Sequence, residues 1–404
     1  MRDIQAGQFD VREDSRGSSF RALGAGDAES STGLALPVSE RVRATRGPAY
    51  SPPKKESSAS IAPPMRVLAW PIDPANPYTV SLYSNMGPGV RVDEFSATRL
   101  IHAYRVWHIH WPESLLNIRN PAMAAFKMAG FLTAIDLVRM RGGKVIWTVH
   151  NLQAHDALHP VLEAWFWRRF IPRVDGVISL SETALALAQE KFARLRSLPA
   201  VVIPHGHYRE NYRLYTGDAR ADLGIPGDAR VVLFFGEVRR YKNVEALVRA
   251  FRGVGDRNVV LLIAGRPKDP ALAENLRKEA PRDTRVRLNL QFIAREQVAR
   301  YFAAADLVVL PYRQILNSGA ALLALSFSRP VLVPDLGSMA NLRDDFGTGW
   351  VRTFAGEIDT PTLEDALGWA AQPRPSVCPM PENYRWESIR TQTLRFYAEV
   401  LRGA

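Results

Sequence analysis

The chain has 404 residues, of which 47% are apolar and 23% are charged, so it is expected to be globular and long enough for two domains. Its one cysteine, Cys378, excludes an internal disulfide framework and fits a reducing compartment. No apolar run approaches the ~20 residues of a membrane-spanning helix, and the polar N-terminus does not read as a signal peptide. We therefore expect a cytoplasmic protein.

The net charge is +11, and it is not carried by the N-terminus: residues 1–64 hold nine basic and eight acidic residues. The folded part therefore has the excess, which suits anionic partners such as nucleotides, phosphorylated lipids or an acidic membrane. The sequence shows no RNP signature, zinc finger or Lys/Arg block, so nucleic acid is not expected as a partner.

Secondary structure is predicted from residue 65 onward. Residues 1–64 are rich in Ser, Gly, Ala, Pro and Arg without apolar periodicity, which predicts a disordered tail. After them, short apolar runs alternate with helical patterns, as in parallel sheets covered on both faces. The predicted strands are Met65–Pro71, Val106–His110, Lys144–Val149, Gly176–Leu180, Ala200–Ile203, Val231–Phe235, Val259–Ala264, Val286–Leu290, Leu307–Leu310 and Val331–Val333.

This alternation predicts an α/β fold with two Rossmann-like doubly wound domains that face each other across a cleft. We place the first domain at residues 65–215 and the second at 216–385, with the boundary region near residues 205–228. A last helix over residues 386–404 is positioned to return to the first domain. In such sheets ligands bind beyond the carboxyl ends of the strands, so the functional residues are expected in the loops that follow them.

Two loops of the second domain suggest a binding site for a diphosphate. Asn317-Ser318-Gly319 opens a predicted helix, with Asn317 as its N-cap, and a helix N-terminus suits an anion. The alternative is an ordinary capped crossover helix. The loop after Val231–Phe235 adds Gly236, Arg239 and Lys242, which alone would also fit a solvated basic turn. Together the two loops favour a diphosphate clamp.

All eight histidines lie between residues 102 and 207, and six of them follow or end predicted strands. His108 and His110 share one face of a strand, and His150, His155, His205 and His207 come after later strands. Core packing is the alternative for each one, but three such segments together favour a site. His102 and His159 are assigned no function. The spacing does not mark a full set of zinc ligands, so no metal is expected.

In chain order, these segments resemble the bacterial GDP-mannose:glycolipid β-1,4-mannosyltransferases of xanthan-type exopolysaccharide assembly, glycosyltransferase family 94. The resemblance covers residues 65 to about 352 and departs from the family at Asp156, where Glu is expected, and at Asn243, where Gly is usual. The matching stretches are NPY from Asn76, HIHWPESLL from His108, TVHNLQAHD from Thr148, IPHGHYRENY from Ile203, FFGEVRRYKNVEAL from Phe234 and LPYRQILNSGAALLALSFSRPVLVP from Leu310.

The resemblance implies a GT-B fold and the transfer of mannose from GDP-mannose to a diphospho-polyprenyl-linked oligosaccharide, with inversion. Inversion needs a base, for which Asp156 is the first candidate, Glu113 the second and His110 the third. It implies no metal cofactor, because cations and a helix dipole can stabilise the leaving diphosphate. Expected donor contacts are His150, Asn151, Gly236, Arg239, Lys242, Phe292, Tyr312, Arg313, Gln314, Asn317, Ser318 and Gly319; expected acceptor or sugar contacts are His108, His155, His205, His207 and Tyr208.

Two other functions stay open at this point. One is a GT-B transferase that uses a UDP-sugar, with glucuronosyl or glucosyl transfer. The other is a non-catalytic partner that binds a sugar nucleotide or a glycan. A retaining enzyme is disfavoured, because Gln314, Asn317 and Ser318 stand where an E-x7-E pattern would be.

A membrane surface is a further expected partner. The predicted helix near Ala157–Ile171 contains Trp165-Phe166-Trp167-Arg168-Arg169, and three adjacent aromatic residues cannot all face one core. Residues 65–215 hold 17 basic and 11 acidic residues, an excess of six positive charges. We therefore expect peripheral attachment to the inner face of the cytoplasmic membrane, with interior packing of the aromatic residues as the alternative.

Overall fold

The computed structural model of the protein describes residues 64–74, 76–153 and 158–403, and within them it forms two parallel six-stranded sheets. The predicted disordered tail, residues 1–64, lies outside the described residues except for Pro64. The first sheet contains β1 (Met65–Trp70), β2 (Val90–Glu94), β3 (Val106–His110), β4 (Lys144–Val149), β5 (Gly176–Ser179) and β6 (Ala200–Val202). The second contains β7 (Arg230–Phe235), β8 (Val259–Ala264), β9 (Val286–Asn289), β10 (Leu307–Val309), β11 (Val331–Pro334) and β12 (Val351–Phe354).

Eleven α-helices accompany these strands in the described part of the chain. In the first domain they are α1 (Pro77–Tyr83), α2 (Pro121–Met140), α3 (Pro160–Phe170) and α4 (Glu182–Lys191). Those that follow are α5 (Val244–Arg252), α6 (Pro270–Glu279), α7 (Arg295–Ala304), α8 (Gly319–Ser326), α9 (Met339–Phe346), α10 (Thr360–Ala370) and α11 (Trp386–Arg402).

The strand orders are β2-β1-β3-β4-β5-β6 and β12-β11-β10-β7-β8-β9. In each sheet the order reverses beside the first strand of the domain, between β1 and β3 and between β7 and β10. Loops diverge at such a point and leave a crevice at the carboxyl edge, where ligands bind. The predicted α/β architecture of two doubly wound domains is therefore confirmed.

The central strands were predictable because they are buried on both faces. All six residues of β8 are buried, and so are all five of β3. The pattern of apolar runs did not predict β2 and β12, which lie at sheet edges. Edge strands carry exposed charged residues that limit further pairing, as Arg91 and Glu94 do in β2, so they do not form continuous apolar runs.

Helix α11 returns to the first domain and completes its core. Its residues Trp386, Phe396 and Tyr397 pack in one apolar cluster with Val67 of β1 and Ile146 of β4. The predicted domain boundaries at residues 215 and 385 stay predictions.

Helix α2 differs from expectation. It is long and apolar enough, by length and composition alone, to cross a membrane, although no such segment was expected. One side of the helix belongs to the core of the first domain through Met128, Phe131 and Ile135. The opposite side is also apolar and faces solvent, with Phe126 75% exposed. This helix is therefore a surface helix with an apolar outer face.

Candidate active site

The N-terminus of α8 lies in the loop after β10, where the sequence predicted it, but its cap is shifted by one residue. Ser318 is the N-cap, and its hydroxyl accepts a hydrogen bond from the amide of Ala321 at 3.1 Å. The prediction that Asn317 caps the helix is wrong, because both residue types cap well and the neighbour is used. In the described part of the chain, no group accepts a hydrogen bond from the backbone amides of Gly319 and Ala320, so these amides can bind an anion.

Asn317 links the two domains instead. Its side-chain amide donates to the backbone carbonyl of His150 in the first domain, with the atoms 3.5 Å apart. The neighbouring Leu316 packs against the apolar core of the first domain. The start of α8 therefore faces the loop that follows β4 across the cleft.

The loop after β7 places cations beside this helix. Gly236 has φ +121°, and a Cβ on it would lie 3.5 Å from the ammonium of Lys242. Arg239 and Lys268 both pair with Glu237, at 3.1 and 3.0 Å. The Glu237 carboxylate, which keeps a lowered pKa beside these cations, holds them near the strand end. The diphosphate clamp that the sequence predicted from Arg239 and Lys242 stays a prediction.

Burial lowers the pKa of Lys242 to about 8, although Glu237 opposes this shift. The ammonium lies 5.5 Å from the centre of the Tyr312 ring, a cation–π contact. Tyr312 itself is buried, and its ring packs against the Lys242 ammonium. A partly desolvated cation interacts strongly with an incoming anion.

The remaining second-domain candidates have different surroundings. Arg313 is exposed and pairs with Glu357 at 2.6 Å, which ties its loop to Asn243, a second partner of Glu357. Asn243 adopts φ +54°, which Asn tolerates and which explains why it replaces the usual Gly. Gln314 is exposed, and Phe292 is half-buried after β9.

Glu113 is a buried carboxylate at the matching edge of the first domain. Trp111 takes a left-handed conformation, φ +42°, at the end of β3 and turns the chain into a short 3-10 helix. This turn leaves Glu113 only 2% exposed. One carboxyl oxygen accepts from the side chain of Asn151 at 2.8 Å, and the other is buried with no hydrogen-bond partner in the described part of the chain.

This environment determines the acidity of Glu113. Burial raises its pKa from an ordinary value near 4.5 to about 7, while the hydrogen bond from Asn151 opposes the rise. A carboxylate with such a pKa can accept a proton near neutral pH. Glu113 therefore has the properties of a general base.

His150 lies next to Asn151, and its ring stacks on Trp111 with centroids 3.9 Å apart. Its Nε2 bonds to Nδ1 of His110 at 3.1 Å, and its Nδ1 has no partner in the described part of the chain. His108 and His110 are both 0% exposed, and each has both ring nitrogens hydrogen-bonded. Direct contact of these two residues with a ligand is therefore disfavoured, and so is His110 as a base.

The third histidine segment lies in the linker after β6. The Tyr208 hydroxyl bonds to Nε2 of His205 at 3.2 Å, and it would be 2.9 Å from a Cβ on Gly319. These two residues therefore reach the start of α8. His207 is buried against the first turn of α11, whose Trp386 indole donates to its carbonyl at 2.8 Å. This contact indicates a structural role for His207.

Two predicted residues, His155 and Asp156, lie outside the described residues. Within residues 64–74, 76–153 and 158–403, no three His, Cys, Asp or Glu side chains form a group that could hold a metal ion. The expectation of a metal-independent reaction stays a prediction.

A cavity of about 350 Å³ is lined in part by Ser318 and Gly319. Both domains line it, and among the described lining residues there is no lysine or arginine. Its lining includes carboxylates and amides, among them Glu182, Asn341, Asp344, Asn383 and Gln392, beside apolar residues such as Leu180, Leu322 and Met339. Carboxylates and amides bind hydroxyls well, so this part of the cavity suits a polyhydroxyl group.

Comparisons with known proteins agree with this arrangement. Residues 229–367 match the family described as glycosyl transferases group 1. The structure of Anabaena HepE with UDP has a TM-score of 0.60 at 14% identity and covers 83% of this chain and 100% of that one. Sucrose-phosphate synthase from Thermosynechococcus elongatus has a TM-score of 0.55 at 20% identity, over 76% of each chain. Fold and site together define a glycosyltransferase with the GT-B architecture.

The sequence relatives are more specific. The GDP-mannose:glycolipid 4-beta-D-mannosyltransferase of Xanthomonas campestris pv. campestris is 31% identical over 353 residues, which cover 85% of this chain and 95% of that protein. A D-inositol 3-phosphate glycosyltransferase of Streptomyces scabiei is 28% identical over 45% of this chain and 44% of that protein. The chain belongs to the family of the GDP-mannose:glycolipid 4-beta-D-mannosyltransferases, as the sequence motifs predicted.

Proposed function

We propose that this glycosyltransferase moves mannose from GDP-mannose to a lipid-linked oligosaccharide, with inversion at the anomeric carbon. The observation that carries the proposal is the pairing of Glu113 with the anion site across one cleft. Glu113 is bonded to Asn151, and the adjacent His150 carbonyl contacts Asn317 at the start of α8. A buried base on one wall thus faces a phosphate-binding wall.

The proposed reaction is a single displacement. The acceptor hydroxyl attacks C1 of mannose and gives its proton to the Glu113 carboxylate. The bond between C1 and the β-phosphate oxygen breaks at the same time, and GDP leaves. Arg239, Lys242 and the free amides at the start of α8 stabilise the negative charge that develops on the diphosphate. No group in this step requires a metal ion.

Donor choice is the first test. We expect GDP to raise the melting temperature of the protein more than UDP does at equal concentration, because binding to the native state stabilises it. With a lipid-linked oligosaccharide as acceptor, GDP-mannose is expected to give product, whereas UDP-glucose and UDP-glucuronate are not. A UDP preference in both assays would replace the proposed donor with a UDP-sugar.

We also propose that the enzyme works at the inner surface of the cytoplasmic membrane, in the assembly of an exopolysaccharide. The outer face of α2 presents Phe126 and Met140, each 75% exposed. Arg119 and Arg141 are exposed at the two ends of this helix. Exposed apolar side chains flanked by cations suit an anionic lipid surface.

This surface differs from the one that the sequence suggested. In α3, Phe166 and Trp167 are buried and only Trp165 is half-exposed, with Arg169 over its ring. Most of the predicted aromatic cluster therefore belongs to the core. Val161 of α3 is also exposed.

Replacing Phe126 by Ser is expected to weaken membrane attachment by about tenfold or more, because burying a Phe contributes about 1.5–3 kcal/mol. Flotation with phosphatidylcholine vesicles, with and without phosphatidylglycerol, measures this. Val377→Ser is the matched control, since Val377 is exposed in the second half of the chain. Equal flotation of both variants, or no flotation of the parent protein with anionic vesicles, would remove α2 as the membrane surface.

A further inference from the structure

Three histidines and two tyrosines form a buried hydrogen-bonded chain behind the site. The hydroxyl of Tyr397, on α11, lies 2.7 Å from Nδ1 of His108. The hydroxyl of Tyr83, on α1, lies 2.8 Å from the same nitrogen and 2.7 Å from Nε2 of His110. Nδ1 of His110 then meets Nε2 of His150 at 3.1 Å. The chain thus connects the last helix of the protein to the cleft.

The direction of these hydrogen bonds follows from their first member. Tyr397 is fully buried, and its hydroxyl lies within reach of the lone pair on Nδ1 of His108 and also interacts with the hydroxyl of Tyr83. An imidazole lone pair is a stronger acceptor than a phenol oxygen, so the Tyr397 hydroxyl donates to His108. A buried hydroxyl that did not donate would lose a hydrogen bond, at a cost of about 1–3 kcal/mol. Nδ1 of His108 therefore accepts. The proton of the neutral ring is then on Nε2, which donates to the hydroxyl of Thr148 at 2.6 Å.

The remaining bonds are fixed in turn. Because Tyr397 occupies the lone pair of His108, the Tyr83 hydroxyl donates to Nε2 of His110. His110 then carries its proton on Nδ1 and donates it to Nε2 of His150. A neutral His150 that accepts through Nε2 is protonated on Nδ1. Nδ1 is the nitrogen without a partner in the described part of the chain.

We propose that Tyr397 is a positioning residue, which acts through His108, Tyr83 and His110 to present His150 to the donor as a hydrogen-bond donor through Nδ1. The inference rests on the proposed function only in naming the ligand, an oxygen of the sugar nucleotide. It assigns His150 to donor binding and His110 to the positioning of His150, and it leaves proton abstraction to a carboxylate.

Burial supports neutral rings throughout the chain. It lowers the pKa of His108 to about 3 and the pKa of His110 and His150 well below their ordinary values. Neighbouring histidines lower the pKa values of His110 and His150 further. The groups that face these rings are Tyr78, Tyr83, Tyr397, Thr148 and His205, and none of them carries a charge near neutral pH.

The tautomer is directly measurable in the free protein. We expect two-bond 1H–15N correlation spectra of the full chain, labelled with [15N]histidine, to show His150 protonated on Nδ1. Its signal is assigned by its loss in His150→Gln. In Tyr397→Phe, the Tyr83 hydroxyl can donate either to Nδ1 of His108 or to Nε2 of His110. We therefore expect His150 to become a mixture of the Nδ1–H and Nε2–H forms.

Tyr301→Phe is the matched control, because Tyr301 is also fully buried with a hydrogen-bonded hydroxyl, but in the second domain. It should leave the His150 signal unchanged. In transfer assays, Tyr397→Phe is expected to lower kcat by about tenfold, the effect of one hydrogen bond, with the KM for acceptor unchanged.

An Nε2–H tautomer of His150 in the parent protein, or an unchanged tautomer in Tyr397→Phe, would overturn the proposal. Both readouts need no substrate. A wrong donor or a wrong reaction would therefore appear only in the transfer assay and would leave the spectra as expected.

Discussion

Glu113→Gln is expected to lower kcat by roughly 10²- to 10⁴-fold, the usual contribution of general base catalysis, while GDP binding is retained. The substitution keeps the shape of the side chain and removes its ability to accept a proton. Radiolabelled mannose transfer measures kcat, and calorimetric titration with GDP measures binding. Glu190→Gln, on the exposed side of α4, provides the control for the same chemical change.

The same substitution is expected to stabilise the protein, which separates catalysis from misfolding. The pKa of Glu113 is raised in the fold from near 4.5 to about 7, so the native state favours the protonated form. Stability is therefore lost as pH rises from about 4.5 to 7, on the order of 3 kcal/mol in total. Glutamine, which stays neutral, should recover much of that loss at pH 8. Thermal unfolding at pH 5 and pH 8 measures the difference.

Full activity of Glu113→Gln, together with loss of activity in Asp156→Asn, would transfer the role of base to Asp156. Loss of both activity and stability in Glu113→Gln would contradict the assignment of Glu113 as a buried carboxylate whose ionisation destabilises the native state.

Lys242→Ala is expected to weaken GDP binding by about 10- to 100-fold, because hydrogen bonds to charged groups contribute about 1.5–3 kcal/mol. The lysine also predicts a pH dependence. Its pKa in the free protein is about 8, so it is charged below that pH and loses its charge above it. GDP affinity should therefore fall as pH rises through 8. Calorimetric titration at pH 6.5, 7.5 and 9 measures this.

Lys242→Arg provides the sharper comparison, because arginine stays protonated throughout this range. It should keep GDP affinity at pH 9, where the parent protein has lost it. Lys278→Ala, an exposed lysine paired with Glu274 on α6, should have no effect. If the arginine variant loses affinity with the same midpoint as the parent protein, Lys242 is not the group that titrates.

With Glu113 deprotonated above about pH 7 and Lys242 protonated below about pH 8, the profile of kcat/KM should be narrow and have its maximum between these values.

Ten of the twelve strands and the loops of the site were accessible from the sequence because parallel strands appear as apolar runs and their loops follow directly. The edge strands β2 and β12 were not, because solvent-facing strands mix charged and apolar residues. The cap of α8 was displaced by one residue because Asn317 and Ser318 satisfy the same local rule. Local patterns thus predicted the architecture and the positions of the polar loops.

The properties that give the site its chemistry arise from long-range packing. The raised pKa of Glu113 depends on a left-handed residue and on burial that no spacing encodes. Tyr397 and His108 are 289 positions apart in the chain, and no sequence pattern predicts their contact. The outer face of α2 was not predicted, because its few charged residues, Lys127, Asp136 and Arg139, do not form a polar side that would mark the opposite side as apolar.

The return of α11 to the first domain has a consequence for synthesis on the ribosome. The first sheet is complete when β6 has been made, but Val67, Ile146 and Ile178 lack their cover until the last helix emerges. Roughly 180 residues separate β6 from α11, which at about 5–20 residues per second corresponds to about ten to forty seconds. During that interval the nascent first domain exposes an apolar surface that chaperones can bind. A chain truncated before α11 should therefore be recognised as unfinished and degraded, even though it contains both sheets.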